Sequence, residues 1–132
     1  MIGLDTNVII RYLVQDDQAQ AAIANRVFEK ELSATNKGLI CPVVLCEVVW
    51  VLLRAYKQKK DKVQEVIRTL LLADNIEMQQ RDAVWKALRE FEQGTADFSD
   101  YLICYLNQAC GASFTLTFDR SASQQRLFRL AK

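Results

Sequence analysis

Apolar positions along this chain change their spacing in a regular order, and that order predicts alternating strands and helices. Met1 to Leu4 is a short apolar start that leads into Asp5-Thr6-Asn7 and then VIIRYLV. Asp and Asn accept backbone N–H groups at helix starts, so the junction reads as a strand followed by a helix. Ala19, Ile23 and Val27, with Ala24, Phe28 and Leu32 beside them, keep helical spacing through a second helix. Gly38-Leu39-Ile40-Cys41 reads as a short strand, and Pro42 suits the first turn of the next helix. That helix, Val43 to about Tyr56, is apolar nearly all round and is expected to be buried. Val63, Val66, Ile67, Leu70 and Leu71 mark a further helix, Asn75 to Met78 a short strand, and Val84, Trp85, Leu88 and Phe91 another helix. Leu102, Ile103, Leu106 and Ala109 continue a helix that should stop at Gly111, a natural residue for the position after a helix end. SFTLTF, from Ser113 to Phe118, alternates and carries β-type residues, so it predicts a strand ending at Asp119. A short helix and a candidate strand at Leu127 to Leu130 close the chain. Strands alternating with helices imply a parallel sheet wrapped by helices, a three-layer α/β domain.

Composition narrows the chemistry. The chain has 132 residues, 51% hydrophobic and 25% charged, which suits a single folded domain over 1–132 and argues against disorder. There are 17 Lys+Arg against 16 Asp+Glu, so neither a polybasic nor an acidic tail dominates. No His is present, which excludes Ser-His-Asp and Cys-His pairs, His-ligated zinc and imidazole acid–base catalysis. Cys41, Cys46, Cys104 and Cys110 form no C-x-x-C pair, and Cys46 and Cys104 lie in the apolar runs VVLCEVV and YLICYL as small hydrophobes. Asp5 arrives before a signal-peptide apolar region could develop, and the run Val43 to Leu53 falls short of the ~18 residues of a membrane span. A soluble protein of the reducing cytoplasm is expected, with no membrane partner.

Carboxylates are then the main candidates for catalysis. Asp5 and Asp119 each follow a predicted strand, at the end where open α/β sheets bind ligands, although each could simply cap the next helix. Glu47 has Val43, Val44, Trp50 and Val51 at helical spacing, which places it on the stripe expected to face the core. A buried carboxylate needs a cation, a hydrogen-bond network or a proton, and a salt bridge to Lys or Arg would also serve. Asp97-Phe98-Ser99-Asp100 precedes the apolar helix from Tyr101, with Asp97 as a helix cap and Asp100 in the first turn as the plain structural reading. Carboxylates converging on one crevice would repel each other unless a cation offset them. Hard oxygen donors suit Mg²⁺ or Mn²⁺, and water activated by such an ion is the simplest nucleophile for a chain without His. Metal-assisted phosphodiester chemistry is the expectation.

At these residues the chain resembles PIN-domain proteins, particularly the VapC-type toxin ribonucleases of bacterial toxin–antitoxin modules. MIGLDTNVIIRYLVQDD is similar to that family's first strand and helix, and VVLCEVVWVLL to its central helix with an embedded Glu. ADFSDYLICYLNQACGASFTLTFDRSA is similar to its later helix–strand segment, including T-F-D at the strand end. The matches run in order from Met1 to about Ala122. The resemblance implies a three-layer α/β/α fold with a central, mostly parallel sheet of about five short strands and helices on both faces. It implies an acidic metal site of Asp5, Glu47, Asp100 and Asp119, with Asp97 as an auxiliary acid and possible ligand. Asn7 and Thr117 match polar positions that orient the carboxylates. It also implies a homodimer. The departures are Cys46 before Glu47, and Tyr101 after Asp100 where the family more often has a small residue; that ring either narrows a substrate groove or packs.

Other features have two readings each. The basic stretch Arg54 to Lys62 could meet RNA phosphates or an acidic antitoxin segment, or could be a solvated helix end. Arg11 and Arg120 are placed to touch a substrate phosphate. Tyr12, Tyr101 and Tyr105 could stack bases, though aromatic residues at helical spacing more often pack a core. The leading functional expectation is a Mg²⁺- or Mn²⁺-dependent endoribonuclease acting on single-stranded or looped RNA, the toxin of a type II toxin–antitoxin module held by an antitoxin protein. A non-catalytic PIN-like module for RNA binding or complex formation is the alternative. An aspartyl-phosphate mechanism of the haloacid-dehalogenase type ranks lower, because Asn7 stands where that family has a second Asp. Setting aside the five candidate acids leaves 11 acids against 17 basic residues, a body able to approach RNA once metal offsets the pocket.

Overall fold

Residues 1–132 are described by a computed structural model, and they divide into two compact units, 1–79 and 80–132. In the first unit, β1 (Ile2–Gly3), β2 (Gly38–Ile40) and β3 (Ile76–Met78) form a parallel sheet in the order β1-β2-β3. Gly38 stands opposite Ile2 on one side and Ile76 on the other. Helices α1 (Thr6–Val14) and α2 (Gln18–Arg26) connect β1 to β2, and α3 (Pro42–Arg54) and α4 (Lys60–Leu72) connect β2 to β3. Parallel neighbours need such crossovers, because a tight turn can only reverse the chain.

Local chemistry sets the starts and stops. Asp5 caps α1, its carboxylate accepting the Thr6 N–H at 2.8 Å, and Asp17 caps α2 through the Gln20 N–H at 3.0 Å. Pro42 occupies the first turn of α3, where its missing N–H costs nothing. The second helix departs from the uniform α-helix its spacing predicts. After Arg26 the chain adopts a π turn over Val27–Glu31, in which the Leu32 N–H reaches the Val27 carbonyl at 2.9 Å. That turn lays Phe28 flat on Tyr12, with ring centroids 4.0 Å apart, so Tyr12 packs. Ile23, expected inward, is more than half exposed.

Helix α3 corrects two expectations. Its buried stripe is Leu45, Val48, Val49 and Leu52, while Val43 is 69% and Trp50 59% exposed. Glu47 lies with those two, exposed to solvent and off the core-facing stripe. The reason is that an apolar residue occurs on nearly every side of this helix, so the spacing carries no phase. Four well-packed aliphatic side chains, each contributing about 1.5–3 kcal/mol on burial, decide which face turns inward.

In the second unit, α5 (Arg81–Gln93) and α6 (Phe98–Ala109) pack as a helical hairpin, and β4 (Thr115–Thr117) pairs in parallel with β5 (Phe128–Leu130). Phe91 and Phe98 meet edge to face at 5.7 Å across the hairpin, and the Tyr105 hydroxyl donates to Glu90 at 2.8 Å. The five strands expected are thus all present and all parallel, in a three-stranded and a two-stranded ladder. Gly111 follows the end of α6 at φ +99°, a conformation that suits glycine. The alternation in SFTLTF is real but points the other way from a core strand: Leu116 is 63% and Phe118 86% exposed, with Thr115 and Thr117 half-buried. Ile103 is likewise exposed.

Tyr101 packs. It is buried, and its hydroxyl accepts the Ala96 N–H at 3.2 Å. Gly94 makes room for it, since a Cβ there would run into the Tyr101 hydroxyl and approach the Glu90 carbonyl at 3.1 Å. Gly94→Ala is therefore expected to destabilise the chain by about 2 kcal/mol, a fall of roughly 6–8 °C in Tm for this size. Gly3→Ala, which meets nothing within 4 Å, is the control and should stay within about 0.5 kcal/mol. Equal melting of the two variants would contradict the packing described.

Candidate functional site

In residues 80–132, Asp97 and Asp119 stand near enough to Asp100 for their charges to bear on it. Asp97 occupies the cap position of α6 with extended backbone angles, yet its side chain makes no capping bond. Its carbonyl instead accepts the Asp100 and Tyr101 N–H groups at 3.0 and 3.4 Å. Asp100 is half-buried in the first turn. Burial pushes its pKa up, the neighbouring charges of Asp97 and Asp119 push it further, and a hydrogen bond from the Asp97 backbone opposes them. The plain capping reading thus accounts for the backbone of Asp97 but leaves its carboxylate uncommitted.

Asp119, two residues past β4, adds its charge to this group. One of its oxygens accepts the Ser121 and Ala122 N–H groups at 2.8 and 3.1 Å, and Thr117 Oγ1 accepts the Asp119 N–H at 3.0 Å. The turn after β4 therefore fixes one carboxylate oxygen and leaves the other free. None of Asp97, Asp100 and Asp119 is in a salt bridge. Within either unit, no three His, Cys, Asp or Glu side chains stand close enough to hold a metal ion as placed. The donor set fits a hard divalent cation all the same: it is all oxygen, it is crowded with like charge, and Asp97 and one oxygen of Asp119 are uncommitted.

In residues 1–79 the remaining predicted positions stand as follows. Asp5 is exposed at the α1 cap, and Asn7 is exposed in the first turn of that helix. Asn7 lines a cleft of about 280 Å³ together with Val8, Arg11, Gln20, Ile23 and Val27. Arg11 is tied down inside the unit. Its guanidinium donates to Gln20 Oε1 at 2.6 Å, to the Tyr56 hydroxyl at 3.1 Å and to Asp16 at 3.3 Å, and Tyr56 closes the circuit onto Asp16 at 2.8 Å. A phosphate would have to displace those partners. Arg120, by contrast, is exposed and in no salt bridge. Sequence reasoning missed the part played by Tyr56, which it placed at a helix end within a basic stretch.

The thiols are unreactive where they lie near these acids. Burial pushes Cys46, beside Glu47, up to about 11, and burial also raises Cys104. The Tyr105 hydroxyl is raised as well, by burial and by its bond to Glu90. Each stays protonated at neutral pH and supplies no nucleophile. No helix is long and apolar enough to cross a membrane.

The comparisons with known proteins agree with this architecture. The PIN domain family model matches residues 2–126. A VapC ribonuclease of Aquifex aeolicus (strain VF5) is 25% identical over 118 residues, covering 89% of this chain and 86% of that protein. No solved structure matches. With the family model spanning both units and parallel strands joined by helices as the sequence foresaw, the chain belongs to the PIN domain family.

Proposed function

We propose that this chain is an endoribonuclease that hydrolyses RNA phosphodiester bonds with Mg²⁺ or Mn²⁺, and that it serves as the toxin of a type II toxin–antitoxin pair. The observation that carries the chemistry is the crowding of Asp97, Asp100 and Asp119, three carboxylates without a cationic partner. The similarity to a VapC ribonuclease supports the RNA substrate; an antitoxin partner and a homodimer are carried over from the family resemblance of the sequence. A divalent ion held by such a group polarises a phosphate and activates water. The chain's own part is to hold and aim the oxygens. The Ser121 and Ala122 N–H groups fix Asp119, the first turn of α6 fixes Asp100, and Asp97 is released from capping by its backbone. Asp5 and Glu47 are assigned to the same chemistry by the family resemblance of their segments. Single-stranded or looped RNA is the substrate, because unpaired nucleotides expose the bond that a duplex shields.

The test is cleavage of a labelled single-stranded RNA by the purified chain in Mg²⁺, in Mn²⁺ and in EDTA, beside Asp5→Asn. Cleavage should occur with either ion, stop in EDTA and fall by at least about 100-fold in the variant. Cleavage that survives both EDTA and Asp5→Asn would sink the metal–carboxylate mechanism. RNA bound tightly but never cut, whatever the ion, would instead establish a non-catalytic binding module.

A further inference from the structure

We infer that the exposed face of α5 is a landing surface for single-stranded RNA, with Lys86 and Arg89 meeting phosphates and Trp85 stacking a base. The choice of ligand rests on the ribonuclease reading; the surface itself rests on the following observations. Helix α5 turns Ala83, Val84, Ala87, Leu88 and Phe91 inward. Its outward side carries Asp82, Trp85, Lys86 and Arg89, which together line an open cleft of about 270 Å³. Trp85 is half-buried, so packing holds the indole while part of it faces the cleft.

This face is cationic. The salt bridges Arg11–Asp16, Arg26–Glu31 and Arg68–Glu65 each lie within residues 1–79. Lys86, Arg89 and Arg126 have none. Lys86 Nζ stands 5.9 Å from the centre of the Tyr105 ring. The charge of Arg126, from the segment before β5, also bears on that tyrosine, whose hydroxyl donates to Glu90 at 2.8 Å, so an acid stands among the cations there. Asp82 is the acid lining the cleft, and it sits in the first turn of α5, where the helix dipole accommodates a negative charge. Lys86 and Arg89 are about 4.5 Å apart along the helix axis, within reach of successive phosphates for such long side chains. An acidic peptide would match the cations but would offer Trp85 no flat partner at each step. A single-stranded nucleic acid offers an anion and a π face with every nucleotide.

The test is the affinity of the full chain for a fluorescent oligouridylate, measured in EDTA across a range of salt. Lys86→Ala/Arg89→Ala should weaken binding at least about 10-fold at low salt and reduce the slope of log K against log salt by roughly 1.4. Trp85→Ala should weaken it about 5- to 50-fold with the slope unchanged, and Trp85→Phe should retain most of the affinity, which separates stacking from misfolding. Lys59→Ala/Lys62→Ala, in the other basic stretch, should leave it within about twofold. Unchanged affinity in the α5 variants, or loss in the Lys59/Lys62 control instead, overturns the assignment. So does polyglutamate binding as tightly as RNA, which would make the face a protein-docking surface. The two readings fail separately. A wild-type chain that cuts no RNA with either ion, while the α5 variants lose RNA affinity, keeps this surface and removes the nuclease. A chain that cuts RNA, and whose α5 variants bind it normally, does the reverse.

Discussion

Asp100→Asn is expected to lower RNA cleavage by about 10³-fold, close to 4 kcal/mol of transition-state stabilisation, while leaving the metal-free fold slightly more stable. Both halves follow from one geometry. Asp100 is desolvated by its place in α6 and repelled by Asp97 and Asp119, so the ionised side chain is held against an electrostatic cost. Asn keeps the size and the hydrogen bond from the Asp97 backbone and removes the charge. Asp100 remains partly open to solvent, so screening limits the gain to about 0.5 kcal/mol, or roughly 2 °C in Tm. A residue whose loss abolishes activity and relaxes the fold is held for function. If Asp100→Asn instead melts well below the wild type, its carboxylate is structural and the assignment fails. Steady-state cleavage beside scanning calorimetry of the same preparations measures both.

The second large effect is the coupling of divalent ions, pH and stability. Because Asp100 titrates above its ordinary value in the folded chain, the folded state takes up a proton before the unfolded state does as pH falls. Its penalty is therefore fully present at neutral pH, diminishes as pH drops through the raised pKa, and is gone below the ordinary carboxylate value near 4. In EDTA, the Asp100 contribution should favour the folded state progressively over that window. Mg²⁺ or Mn²⁺ at about 100 times its Kd should stabilise the chain by roughly 2.7 kcal/mol at neutral pH, an increase of about 8–10 °C. That increase should shrink as pH falls, because protons compete for the same oxygens. Thermal scans at pH 5 and pH 8, with metal and with EDTA, measure this. An ion-dependent rise that persists unchanged in Asp100→Asn would place the ion elsewhere.

Much of this molecule is legible in sequence because short signals decide it locally. Asp5 at a strand–helix junction, Pro42 at a helix start and Gly111 past a helix end each impose their geometry through their own backbone or nearest neighbours. Glu47 was not legible. Apolar residues ring α3, and only the packed stripe of Leu45, Val48, Val49 and Leu52 shows that Glu47 faces water. The same limit applies to Arg11, whose partner Tyr56 lies 45 residues on. The acid group falls between these cases. Asp97 and Asp100 share the single turn that opens α6 and can be read together, but Asp119 joins them only through the path of α6 and β4. The exposed side of SFTLTF was hidden for another reason: alternation gives two faces and does not say which one is covered.

The π turn at Val27–Glu31 has a consequence for how chain length can vary in this fold. A π turn holds one residue more than an α turn, so the helix carries one residue here beyond what an unbroken α-helix would need. Removing one residue there would let the ladder close as ordinary α-helix, but it would rotate everything on one side by about 100° relative to the other. Either Phe28 would leave the face of Tyr12 or Ala21 and Ala24 would leave the interior. A one-residue change of length at this point is thus a change of side-chain phase, and a chain without that residue would need a different aromatic arrangement beneath the turn.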